Sequence, residues 1–128
     1  MSGLVVDTSV WIDFLAGEPV PSLDSALSLG IAVTTPVVVA ELLSGARTSL
    51  DRMEIVSLFF DLPVHEAGLE HWIRVGELRR HLKERGLSVS TPDAHVAQCA
   101  LDRGAPLLSR DRIFSLIAGH CRLEVLAD

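Results

Sequence analysis

Four acidic residues spread along the chain form the set best suited to chemistry: Asp7, Glu41, Asp93 and Asp111. Two carboxylates about 4 Å apart repel each other by roughly 4 kcal/mol at an effective dielectric constant of about 20, so several in one crevice require a compensating cation. Oxygen ligands with no accompanying histidine or cysteine cluster favour Mg²⁺ or Mn²⁺ over zinc. Such an ion activates a water nucleophile and neutralises charge that develops on a phosphoryl group.

Polar residues beside these acids predict the surroundings of the cation. Thr8, Ser9 and Ser109 lie within two residues of predicted ligands, and their hydroxyl groups are suited to orienting the carboxylates around an ion. Arg110 and Arg112 flank the last acid, which makes them candidates for contacts to a substrate phosphate. Ion pairs to neighbouring acids are an equally simple role for both arginines.

The apolar pattern predicts short strands that alternate with helices. Apolar runs bounded by turn or capping residues predict strands at residues 3–6, 31–35, 106–109 and 123–126. A weaker strand is predicted at residues 60–64, at a sheet edge because Pro63 interrupts it. Thr91 is the predicted cap of the helix that carries Asp93. Caps, helical spacing and glycine stops predict the helices, at residues 8–17, 21–30, 36–45, 48–58, 66–85, 91–104 and 111–118.

This alternation of strands and helices implies a parallel sheet with helices on both faces, because parallel strands need a right-handed crossover. We therefore predict one three-layer α/β/α domain over residues 1–128, with a central, mostly parallel sheet of four to five strands. Asp7 directly follows the first strand and Asp111 follows the late one, while Glu41 and Asp93 lie in the first turns of helices. Because the loops after parallel strands open at one edge, the four acids are predicted to face one crevice.

Composition and charge limit the classes of protein that fit. The longest apolar stretches fall far short of the roughly 20 residues that a membrane span requires, and the start of the chain lacks the basic region of a secretory signal. We therefore expect a cytoplasmic protein without membrane contact, in which Cys99 and Cys121 are ordinary reduced thiols. The net charge of −6 argues against nonspecific coating of nucleic acid, although arginines at the rim of an acidic cleft still allow a phosphate backbone to bind.

Each acid also has a purely structural interpretation. Asp7 and Asp111 are suitable helix caps. Asp93 suits the positive end of a helix, and Glu41 suits a solvated surface. With those roles alone, the chain would be a non-catalytic α/β domain that binds a partner, so only the joint placement of the acids favours a metal site.

Histidines and lysine bear on other classes of enzyme. The histidines show no metal-ligand spacing such as His-x-x-x-His and are predicted to lie at the surface or at helix ends: His65, His71, His81, His95 and His120. A receiver-type signalling domain needs a lysine late in the fold, whereas Lys83, the only lysine, lies on the long helix. A phosphatase with a nucleophilic aspartate would carry a second acid where Ser9 stands. The sequence therefore fits neither class.

Four motifs in succession carry a family resemblance: Val5-Val6-Asp7-Thr8-Ser9-Val10, Ala40-Glu41-Leu42, Thr91-Pro92-Asp93 and Leu107-Leu108-Ser109-Arg110-Asp111. They look like the successive motifs of PIN-domain proteins, and in particular of the VapC toxins of bacterial toxin–antitoxin pairs. The resemblance extends over essentially the whole chain, except that the stretch between Thr48 and Val64 matches no motif of the family.

This resemblance implies a PIN-like three-layer fold and a Mg²⁺- or Mn²⁺-dependent endoribonuclease that cuts structured RNA, often tRNA or rRNA, through the four acids. It also implies a homodimer, or a larger toxin–antitoxin complex, with a VapB-like antitoxin. The C-terminal segment of such an antitoxin would lie along the toxin and place an arginine into the acidic site. Within the family, the alternative is a PIN enzyme of RNA maturation or decay without an antitoxin.

Overall fold

Four short parallel strands form the centre of the computed structural model, which describes residues 3–128. The strands are β1 (Leu4–Val6), β2 (Ala32–Val33), β3 (Leu107–Leu108) and β4 (Val125–Leu126), in the spatial order β2-β1-β3-β4. Each adjacent pair is parallel, with Val5 opposite Leu107 across the central pair. The predicted α/β class with a parallel sheet is confirmed. The predicted domain, residues 1–128, includes Met1 and Ser2, which lie outside the described residues.

Helices connect and cover these strands: α1 (Thr8–Leu15), α2 (Pro21–Leu29), α3 (Pro36–Gly45), α4 (Ser49–Phe60), α5 (Leu69–Glu84), α6 (Thr91–Arg103) and α7 (Arg112–Ala118). Their ends follow from local chemistry. The Thr35 hydroxyl accepts a hydrogen bond from the Val38 amide and caps α3. Ser90, not the predicted Thr91, caps α6, because its hydroxyl accepts from the Asp93 amide at 3.2 Å.

The predicted edge strand at residues 60–64 is largely wrong. Phe60 is the last residue of α4, and only Val64 bridges Thr34, in parallel, beside β2. The prediction of an edge position was right, because the bridge extends the sheet beyond β2. Pro63 has no amide hydrogen to donate, and its carbonyl accepts from the Thr34 amide instead. This segment therefore contributes one bridge in place of a fifth strand.

The core lies between the sheet and the surrounding helices and consists mainly of aliphatic side chains. Val5, Val6 and Leu107 are fully buried, so the central strands have no solvated face. Helix α6 packs against β1 and, along its length, against α5. Among residues 3–128, no helix combines the length and the apolarity that crossing a membrane requires.

Candidate metal-binding active site

Asp7 lies at the carboxyl end of β1 and is nearly buried, with 5% of its surface exposed. Its backbone amide donates to the Leu108 carbonyl at 3.0 Å, which fixes it beside the end of β3. Its Oδ2 atom accepts hydrogen bonds from the hydroxyls of Ser9 at 2.7 Å and Ser109 at 3.0 Å. Two of the predicted surrounding hydroxyls therefore orient this carboxylate.

Ser109 also links Asp7 to Asp111. The Ser109 hydroxyl donates a hydrogen bond to Asp7, and its oxygen accepts one from the Asp111 amide at 3.0 Å. The Asp111 side chain in turn accepts from the Ile113 amide at 3.0 Å and caps α7. One buried serine thus ties the strand ends of β1 and β3 to the two acids that follow them.

Glu41 reaches the same edge from α3. Its Oε1 atom accepts a hydrogen bond from the Thr8 hydroxyl at 3.0 Å, although the two residues are 33 positions apart. Thr8 is the first residue of α1 and directly follows Asp7. This bond brings the exposed glutamate next to the loop that carries Asp7, as the sequence predicts.

Asp93, in the first turn of α6, shows that all four acids share one environment. Burial raises the pKa of its carboxyl above the ordinary value, and the charges of Asp7, Asp111 and Glu41 raise it further. A hydrogen bond with Ser90 acts in the opposite direction. A nearby like charge disfavours the ionised form of a carboxyl group, which is why these three acids raise the pKa. Asp7, Asp111 and Glu41 therefore lie near enough to Asp93 for their charges to act on it, although among residues 3–128 these four acids do not form a group with ligand atoms within 4.8 Å of one another.

This group of side chains fits a hard divalent cation. Its donors are carboxylate oxygens with serine and threonine hydroxyls beside them, which is the set that suits Mg²⁺ or Mn²⁺. The repulsion felt by Asp93 is the interaction that a cation would relieve. Asp7 and Asp111 also cap α1 and α7, so the structural role and the proposed ligand role are compatible. Ligation by the four acids remains a prediction.

Comparison with known families decides the class. The family model of the PIN domain matches residues 4–120. The chain belongs to the PIN domain family. PIN domains are in general nucleases, which supports a hydrolase that acts on nucleic acid. No curated protein matches the sequence closely enough to count as a relative.

Solved structures similar to this PIN domain come from toxin–antitoxin complexes. A member of the VapBC family, VapBC-5 from Mycobacterium tuberculosis, is 26% identical, with a TM-score of 0.70 and full coverage (100%) of both chains. VapBC from Salmonella typhimurium bound to DNA is 22% identical, with a TM-score of 0.79 over 99% of this chain and 98% of that chain. VapBC2 from Rickettsia felis, bound to a promoter DNA fragment, is 19% identical, with a TM-score of 0.79 over 97% of each chain. The expected resemblance to PIN-domain proteins is confirmed, and its VapC form is supported.

Arg110 forms an ion pair inside the PIN domain. Its guanidinium donates to Asp13 at 2.6 Å and to the Pro19 carbonyl at 3.3 Å, and it lies 3.6 Å from Glu18. Of the two roles that the sequence left open, the structure shows the ion pair. Arg112 is exposed at the start of α7 and stays the better candidate for a phosphate contact.

Two histidines contradict the prediction that all five lie at the surface or at helix ends. His71 and His95 are 3% and 1% exposed, and a hydrogen bond of 2.7 Å joins them. Burial, with the nearby His71 and His65, lowers the pKa of His95 to about 4. The sequence held one overlooked signal, since His71 shares the helical spacing of the buried residues Val75, Leu78 and Leu82.

Ligand atoms of His65, His71 and Cys99 also lie within 4.8 Å of one another, although the sequence shows no metal-ligand spacing. Both ring nitrogens of His71 are already hydrogen-bonded, to Asp102 and to His95. Burial raises the pKa of the Cys99 thiol to about 12, so the sulfur keeps its proton. Cys99 and Cys121 are both free, as expected of reduced thiols. This cluster therefore serves hydrogen bonding better than metal binding.

Proposed function

We propose that this PIN domain is a Mg²⁺- or Mn²⁺-dependent endoribonuclease that acts as the toxin of a type II toxin–antitoxin pair in the cytoplasm and cleaves structured RNA such as tRNA or rRNA. The observation that carries this proposal is the placement of Asp7, Asp111 and Glu41 beside one another at the carboxyl edge of the sheet, where hydrogen bonds of Ser109 and Thr8 connect them. Four carboxylates from separate parts of the chain lie near enough for three of them to act on the charge of the fourth. In a family of nucleases, that arrangement supports a catalytic role better than helix capping alone.

The chain's own residues would hold the cation and fix the geometry around it. Asp7, Glu41, Asp93 and Asp111 would be its ligands, and when bound it would activate water and neutralise charge on the phosphoryl group. Ser9 and Ser109 hold the Asp7 carboxylate in one orientation, and Thr8 holds that of Glu41. Because these donors are already in place, the carboxylates need little reorganisation to bind the ion.

An antitoxin partner is supported by a groove beside Glu41. The groove has a volume of about 510 Å³, lies between α1, α3 and α4, and has apolar walls that include Ile12, Leu15, Leu42 and Ile55. The similar solved structures are toxin–antitoxin complexes. We propose that a VapB-like antitoxin lays its C-terminal segment along this surface and extends an arginine towards the acids. A carboxylate-lined crevice is a suitable site for a guanidinium group.

Self-association is a further part of the proposal. Several large apolar side chains of α4 and α5 are exposed on the isolated chain: Leu50, Met53, Phe60, Leu69 and Ile73. Apolar surface of this kind is often buried in a protein interface. A homodimer, or a larger assembly with the antitoxin, would bury part of it. Light scattering of the purified protein measures the oligomeric state directly.

A cleavage experiment tests the proposed activity. Purified protein is incubated with a pool of structured RNA and Mg²⁺ or Mn²⁺, and the RNA ends are sequenced. Wild type should produce discrete new ends, and Asp7→Asn should produce none, because one carboxylate of the site is lost. Asp24→Asn, which removes an exposed aspartate of α2, is the matched control and should cut like wild type. Full cleavage in the presence of EDTA would contradict the proposal.

The toxin assignment has its own test. The gene beside that of this protein should encode a small DNA-binding protein with an arginine-bearing tail. When both proteins are produced together, they should purify as one complex, and RNA cleavage should be inhibited. An active nuclease with no such neighbour and no inhibitor would indicate a PIN enzyme of RNA maturation or decay.

A further inference from the structure

A continuous line of hydrogen bonds runs from the end of α6 to α5, back to the start of α6, and on to the start of α3. Asp102 Oδ2 lies 2.8 Å from His71 Nδ1, and His71 Nε2 lies 2.7 Å from His95 Nδ1. His95 Nε2 lies 3.0 Å from the Thr35 hydroxyl oxygen. We refer to Asp102, His71, His95 and Thr35 as the histidine network.

A single assignment of protons satisfies every atom of the histidine network. The Asp102 carboxylate only accepts, so His71 donates from Nδ1 and accepts at Nε2. His95 then donates from Nδ1 and accepts the Thr35 hydroxyl proton at Nε2. The Thr35 oxygen remains free to accept the Val38 amide, which it does at 3.3 Å. Buried polar networks that are fully satisfied in this way fix one arrangement of the elements they join.

The outer end of the histidine network is firmly anchored. Arg74 donates to both oxygens of Asp102, at 2.9 and 3.0 Å, and Gln98 donates at 2.8 Å. Burial raises the pKa of Asp102, but the hydrogen bonds from Arg74, His71 and Gln98 outweigh it and lower that pKa to about 2. The Trp72 ring stacks on His95, with ring centroids 4.5 Å apart and planes 11° from parallel. Aspartate and imidazole therefore keep fixed positions.

The inner end of the histidine network reaches the two helices that bring Glu41 and Asp93 to the acidic edge. Thr35 caps α3, and Glu41 lies six positions further along the chain. His95 belongs to α6, two positions after Asp93. The 3.0 Å bond between Thr35 and His95 is therefore a direct link between the start of α3 and the first turns of α6. A change in its length would alter the spacing of the two carboxylates.

We propose that the histidine network is a positioning device, which holds the start of α3 against α6 so that Glu41 and Asp93 reach the same cation. The inference rests on the proposed function, because it assigns these residues to the metal site described above. None of its members is among the proposed metal ligands, so the network would act through the two helices. Partners that orient metal ligands typically change metal affinity by about 10- to 100-fold when they are removed.

The test measures Mn²⁺ affinity by calorimetry, with no dependence on RNA cleavage. His71→Phe interrupts the network on α5, which carries no predicted ligand, and should weaken Mn²⁺ binding by about tenfold. The control Leu78→Ala removes buried side chain from the same helix and should leave the Mn²⁺ affinity within about twofold of wild type. Loss of affinity in Leu78→Ala equal to that in His71→Phe would overturn the proposal.

A second pair of variants tests the inner end and applies even where His71→Phe does not fold. Thr35→Val removes the hydroxyl and should weaken Mn²⁺ binding about tenfold, while Thr35→Ser keeps it and should restore wild-type affinity. Thr48→Val removes the equivalent cap of α4, which carries no predicted ligand, and should bind Mn²⁺ like wild type. Equal affinities for Thr35→Val and Thr35→Ser would overturn the proposal.

The binding measurements distinguish an error in the positioning role from an error in the proposed metal site. When wild type binds Mn²⁺, Asp7→Asn does not, and the network variants bind like wild type, only the positioning role is overturned. When wild type binds no Mn²⁺, or Asp7→Asn binds it equally well, the proposed function is overturned and the positioning role with it. Nitrogen NMR supplies a separate signature, since His71 and His95 should both carry their proton on Nδ1.

Discussion

The pKa of Asp93 reflects the charges of the other three acids at the site. Its pKa is raised in the folded chain by burial and by three neighbouring carboxylates. The folded state therefore holds a proton on this group at pH values where the unfolded state has already released it. As the pH rises through the unfolded value of 3.8 to the folded pKa, this group removes stability from the metal-free protein.

Asp93→Asn should therefore leave the metal-free protein at neutral pH as stable as wild type or more stable, because it removes the charge that its neighbours repel. Thermal melts with and without Mn²⁺ check this. Mn²⁺ should raise the Tm of wild type and of the control Asp24→Asn, and have a smaller effect on Asp93→Asn. A metal-free Asp93→Asn protein that melts several degrees below wild type would contradict this account of the site.

Arg110 and Arg112 allow the stability effect of an ion-paired arginine to be compared with that of an exposed one. The Arg110 ion pair with Asp13 is half-shielded, with 26% and 32% of the two side chains exposed, and it is reinforced by the Pro19 carbonyl. Arg110→Ala should lower the free energy of unfolding by about 1 kcal/mol. Arg112→Ala should change it by less than about 0.5 kcal/mol. Urea unfolding measures both, and equal losses would show that the Asp13 contact adds nothing.

The residues of the acidic site could be predicted because each lies beside a local signal in the sequence. Asp7, Ser109 and Asp111 follow strand ends that apolar runs reveal, and the parallel topology brings those ends together. The partners of Arg110 and His71 were not predictable in the same way. Asp13 is 97 positions from Arg110, and Asp102 is 31 positions from His71. Such contacts depend on how helices pack, which spacing along one helix does not specify.

Among the elements, helices were predicted better than strands for a physical reason. Helix ends carry local capping chemistry, as Thr35 and Pro36 show at the start of α3 and Gly104 at the end of α6. A strand of two residues has no such signal, and its existence depends on its neighbours in the sheet. Residues 60–64 show the difference, because the helical pattern of α4 continues through Phe60 and leaves only Val64 to bridge the sheet.

Gly3 leads into β1 with a φ of 107°, a backbone conformation that favours glycine. A Cβ atom there would lie 2.7 Å from Val33 Cγ2 and 2.9 Å from the Ile31 carbonyl oxygen. Gly3→Ala should therefore lower the free energy of unfolding by about 1–3 kcal/mol. The control Gly76→Ala lies within α5 with open space around it and should raise stability by about 0.5–1 kcal/mol. Equal effects of the two substitutions in urea unfolding would show that the fold tolerates a side chain at the start of β1.

The molecule as a whole combines two groups of ionisable residues with opposite effects on stability. At the carboxyl edge of the sheet, the acids repel one another and raise the pKa of Asp93. Behind them, Asp102 has a lowered pKa of about 2 and His95 a lowered pKa of about 4. Protonation therefore relieves the acidic site but opposes the interior hydrogen bonds. The stability of the metal-free protein reflects the balance between these two effects.

In mildly acidic solution, we expect acidification to lower the free energy of unfolding of the metal-free protein. An unfolded histidine takes up a proton near pH 6.5, whereas folded His95 resists protonation until about pH 4, so its contribution is fully present above 6.5 and is lost as the pH falls towards 4. Asp102 adds a further loss as the pH falls from 3.8 towards about 2. The free energy of unfolding of metal-free wild type should thus decrease from about pH 7 to about pH 5, and unfolding should take up protons there. His95→Gln should show a smaller decrease over the same range, because the titrating imidazole is gone. Urea titrations that give both proteins the same pH slope would mean that His95 is not held neutral by the fold.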